Sequence, residues 1–129
     1  MTMITMNAAY IITDKPETVE ILKRLLPDYI LQSVGIIATG NPSAARSLGS
    51  TIMSERTQPV ALVLDAETVE PRSIQEKENL MSTILFPASA DTTYRIFLSP
   101  PTTQSLADRN NPIVHDLIQF LSAYIQQPV

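Results

Sequence analysis

The sequence predicts an α/β fold: a single-domain, three-layer sandwich in which a four-stranded, mainly parallel sheet is flanked by helices. Three observations carry this expectation. Short apolar, β-branched runs alternate with helix-period segments of roughly 10–15 residues, the pattern of parallel strands joined by right-handed crossovers. The run Val60-Ala61-Leu62-Val63-Leu64 is polar on neither face, so it has to be covered on both, as a central parallel strand is. The chain has 129 residues, 44% of them hydrophobic, which suffices for one core without a disulfide or a structural metal.

The elements follow in order. Residues 8–13 (AAYIIT) form an apolar run closed by Asp14-Lys15-Pro16 and read as a buried strand. Val19, Leu22, Leu25 and Leu26 then recur at helical spacing, with Pro16 near the start and Pro27 as the stop. Residues 35–39 (GIIAT) repeat the strand signature. Gly40-Asn41-Pro42-Ser43 supplies a turn, an N-cap and a first-turn proline for a second helix. That helix shows Ala44, Ala45, Leu48, Ile52 and Met53 on its apolar face, and Gly49 weakens it by about 1 kcal/mol relative to alanine.

After the central run, Ser73 with Glu76 three residues on reads as a capping box. It opens a helix whose inward face holds Ile74, Met81, Ile84 and Leu85. Tyr94-Arg95-Ile96-Phe97-Leu98 alternates enough to lie at a sheet edge. Residues 99–111 are polar, and Pro100-Pro101 excludes helix and ladder pairing there. Asn111-Pro112 starts a last helix with a stripe of Val114, Leu117, Leu121, Tyr124 and Ile125.

Composition removes whole classes of chemistry. With no cysteine there is no thiolate nucleophile, redox pair or cysteine zinc site, and a lone His115 excludes two-histidine zinc motifs. No serine sits in a GxSxG elbow. The apolar runs fall short of the ~18 residues a membrane span needs, and no basic start precedes an apolar core, so a cytoplasmic protein without membrane contact is expected. A net charge of −4 with scattered basic residues argues against autonomous nucleic-acid binding; nucleic acid would need a bound cation or a partner. Lys23-Arg24 reads as a solvated helix face, and His115 as a surface or partly packed residue.

Met1-Thr2-Met3-Ile4-Thr5 resembles the leader of the β-galactosidase α-fragment of cloning vectors. Residues 1–7 are accordingly expected to be an imported leader and disordered start, and residues 8–129 the domain.

Ligands of parallel α/β sheets sit beyond the carboxyl ends of the strands, near the point where strand order reverses. Asp14 follows the first strand, and Asp65 and Glu67 follow the third. If these strands are neighbours, the three carboxylates converge. Two ionised carboxylates about 5 Å apart repel by roughly 3 kcal/mol at an effective dielectric near 20, so the cluster favours a cation. Oxygen ligands with open positions suit Mg²⁺ or Mn²⁺, which could polarise a phosphate and activate water. The plainer reading is that each acid caps a helix or keeps a loop solvated.

The runs Ile11-Ile12-Thr13-Asp14-Lys15-Pro16-Glu17-Thr18 and Val60-Ala61-Leu62-Val63-Leu64-Asp65-Ala66-Glu67-Thr68 resemble the two acidic motifs of Toprim domains. These domains occur in topoisomerases, primases, recombination-mediator proteins and overcoming-lysogenization-defect nucleases. The family carries a glutamate, usually followed by glycine, after strand one and an Asp-x-Asp after strand three, which together bind Mg²⁺. The resemblance implies Asp14, Asp65 and Glu67 as metal ligands. Its departures are Asp14 for the glutamate, Lys15 for the glycine, Glu67 for the second aspartate, and Ser99-Pro100-Pro101 where many nuclease members carry a further acid.

Two functions follow from the resemblance. One is a degenerate, non-catalytic interaction or regulatory module. The other is a divalent-metal-dependent nuclease or phosphotransfer domain acting on nucleic-acid phosphates, with an ATPase or helicase as its class of partner. The chain also resembles the receiver domains of two-component signalling, which would make Asp65 a phosphoacceptor and Asp14 part of a Mg²⁺ site. The lysine that family places after strand five has no counterpart, since no lysine follows Leu98.

Two further features are candidates. Gly40, Asn41 and Ser43 lie at a helix N-terminus that could hold a phosphate or sulfate through backbone N–H groups. With neither GxGxxG nor a P-loop lysine, an ordinary capped turn is the plainer reading. In the last helix Ile113, Ile118 and Phe120 widen the apolar stripe beyond what one sheet face requires, which points to homodimerisation through this helix.

Overall fold

The computed structural model describes residues 8–56, 58–65, 70–85, 94–99 and 112–125. Strand β1 (Ala9–Thr13) is buried along its whole length. Pro16 occupies the first turn of α1 (Pro16–Leu25), which ends where Leu26 turns extended ahead of Pro27. A one-turn helix, α2 (Asp28–Leu31), then leads to β2 (Val34–Ala38). Helix α3 (Pro42–Arg56), strand β3 (Val60–Asp65), helix α4 (Pro71–Leu85), strand β4 (Tyr94–Ser99) and helix α5 (Pro112–Ser122) complete the described elements.

The sheet is parallel throughout, in the order β2-β1-β3-β4. From β1 the chain steps outward to β2, then returns across β1 to β3 and continues to β4. With one hand of crossover, reversing the direction of travel moves the connecting helix to the opposite face. The core accordingly divides in two. Leu22 and Leu26 at the end of α1, Ile30 of α2, and Leu117 and Leu121 of α5 pack with Ile11, Ala61, Val63 and Phe97 on one face. Ala45, Ile52 and Met53 of α3, with Ile74 and Met81 of α4, cover Ile12, Val60, Leu62, Leu64 and Ile96 on the other. β3 is central and contributes alternate residues to both clusters, which is why its sequence is apolar without interruption. β4 lies at an edge, where Arg95 is exposed.

Several expected boundaries shift. β2 starts at Val34 rather than Gly35 and ends at Ala38. α2 has no sequence counterpart because one turn is too short to establish a helical period; it is held by buried Ile30 and by a 2.9 Å hydrogen bond between the hydroxyls of Tyr29 and Ser122 on α5. α4 opens at Pro71, with the Ile74 N–H donating to the Glu70 carbonyl, so Ser73 lies inside the first turn and does not open the helix. Proline fits the first helical position because its φ is preset and its missing N–H would have had no partner there.

Tyr124 lies beyond the end of α5 and is 36% exposed, leaving the buried stripe as Val114, Leu117, Leu121 and Ile125. Gly49 is buried where α3 meets the sheet: a β-carbon there would lie 3.4 Å from Val60 and 3.6 Å from Leu62. Residues 1–7 and 100–111, on which the leader and the polar-segment expectations fall, are outside the described residues. No helix among the described residues is long and apolar enough to cross a membrane.

Candidate metal centre

The reversal of strand order falls between β1 and β3, and the two strands are direct neighbours, paired from Tyr10 with Val60 to Thr13 with Val63. Continuing that register sets the backbone of Asp14 beside Leu64, with Asp65 one residue further along. At a strand spacing near 4.8 Å and a rise near 3.3 Å per residue, their α-carbons lie roughly 6 Å apart. Asp65 closes β3 opposite Ser99 of β4. The sheet thus brings one carboxylate-bearing residue from each strand to its carboxyl edge. Glu67 lies outside the described residues, and no group of three or more histidine, cysteine, aspartate or glutamate side chains able to hold a metal is found among those described.

Asp14 is only 5% exposed. Its Oδ1 accepts a long 3.4 Å hydrogen bond from the hydroxyl of Thr13, which is itself fully buried and accepts from the Lys15 N–H at 3.5 Å. Lys15, the helix N-cap, has φ −124° and ψ 134°, and no side chain caps α1. The position where the Toprim motif usually has glycine thus uses ordinary extended backbone that lysine adopts without strain. A buried carboxylate needs charge compensation. Here the first turn of α1 supplies a helix N-terminus beside it.

A polar bridge that was not evident in the sequence ties the neighbouring loop to this site. The Thr39 hydroxyl donates to the carbonyls of Thr13, at 3.3 Å, and Asn41, at 3.0 Å, while the Thr39 N–H donates to the same Thr13 carbonyl at 3.0 Å. The only sequence signal for it was a threonine at the end of each of two apolar runs.

At the candidate anion site, Gly40 has φ +96° and makes the turn. The Asn41 side chain accepts from the Ala44 N–H at 2.8 Å, so one helix-end donor is already occupied, and the Ser43 hydroxyl accepts from Arg46 at 3.2 Å. The cap expected from the sequence is therefore present. His115 is exposed, beside a cleft of about 280 Å³ lined by Leu25, Leu26, Pro27, Val114 and Ile118. Lys23 and Arg24 are exposed on α1. On α5, Ile113, Ile118 and Phe120 are half-buried against the first core cluster, so much of the extra apolar girth packs within the domain. No protein-family model, no curated protein and no solved structure matches the chain.

Proposed function

We propose that this chain is a Toprim-like domain that binds Mg²⁺ or Mn²⁺ in the crevice between β1 and β3 and acts as a non-catalytic interaction or regulatory module. The observation that carries the reading is the adjacency of β1 and β3 at the strand-order reversal, with the buried Asp14 following β1 and Asp65 as the last residue of β3. The departures support a module over an enzyme. Aspartate for glutamate shortens the reach of one ligand, Lys15 brings a competing cation, and the chain's −4 charge disfavours approach of a polyanion. A second reading, a metal-dependent nuclease or phosphotransfer domain, is favoured by the acid retained at each motif position: Asp14, Asp65 and Glu67.

Titration of Mg²⁺ or Mn²⁺ against thermal stability tests the proposal. A cation that binds only the folded chain adds about 2.7 kcal/mol at one hundred times its dissociation constant. Saturable stabilisation is expected in the wild type and should be lost in Asp14→Asn and in Asp65→Asn. No shift up to about 10 mM cation, or an equal shift in both variants, overturns the site. Incubation with linear DNA and Mn²⁺ separates the two readings: intact DNA is expected, and cleavage that disappears with Asp14→Asn would establish the nuclease instead.

A further inference from the structure

We draw no further inference here: the strongest candidate, the apolar cleft of about 280 Å³ between the end of α1 and the first half of α5 with the exposed His115 on its rim, carries nothing because nothing in the structure shows what covers it.

Discussion

The turns after β1 and β2 share one frame. Thr13-Asp14-Lys15-Pro16 and Thr39-Gly40-Asn41-Pro42 each run from a threonine, through one residue and a helix-flanking residue, to a proline at the first helical position. They use the frame differently. After β2, Gly40 takes a positive φ and Asn41 caps the helix, so the turn satisfies its own donors. After β1, a buried acid stands in the glycine's place and lysine in the cap's, and α1 begins without a side-chain cap. One turn is closed for stability. The other keeps a helix N-terminus and a carboxylate together in the crevice where ligands of such sheets bind, at the cost of a cap worth about 1 kcal/mol.

The comparison breaks if the β2 turn does not depend on its two special residues. Gly40→Ala should have the larger effect. A β-carbon there meets nothing within 4 Å, so the loss reflects φ +96° alone and should be about 1–2 kcal/mol in thermal or urea unfolding. Gly40→Asn should recover part of it, because asparagine tolerates this region; equal losses for both substitutions would show that backbone conformation is not the cause. Asn41→Ala should cost about 1 kcal/mol by leaving the Ala44 N–H without its 2.8 Å acceptor, while Asn41→Asp should retain the cap.

The sequence exposed the features that periodicity encodes. Uninterrupted apolarity from Val60 to Leu64 marked the central strand because both faces of β3 are covered, and the alternation around Arg95 matches the place of β4 as the last of the described strands in the order β2-β1-β3-β4. Features that depend on spatial neighbours stayed hidden. The Thr39–Thr13 bridge joins residues 26 apart, and the approach of Gly49 to Val60 and Leu62 depends on how closely α3 lies on the sheet. Asp14 and Asp65 were visible as strand-end acids, but only the order β2-β1-β3-β4 makes their strands neighbours. Hydrophobic patterning specifies that a strand is buried without specifying which strand it pairs with.

The smallest effect sharpens the comparison most. Lys15 already has the extended backbone of an N-cap residue, at φ −124° and ψ 134°, so Lys15→Asn requires no backbone change. Its side chain can accept from the first turn of α1 as Asn41 does from Ala44. The urea midpoint should then rise at constant m-value, by an amount equivalent to about 0.5–1 kcal/mol. An unchanged midpoint would mean that the donors at the start of α1 are already satisfied, and that the carboxylate of Asp14 serves the helix itself. A gain in stability would show that the cap can be improved without altering the Asp14 carboxylate.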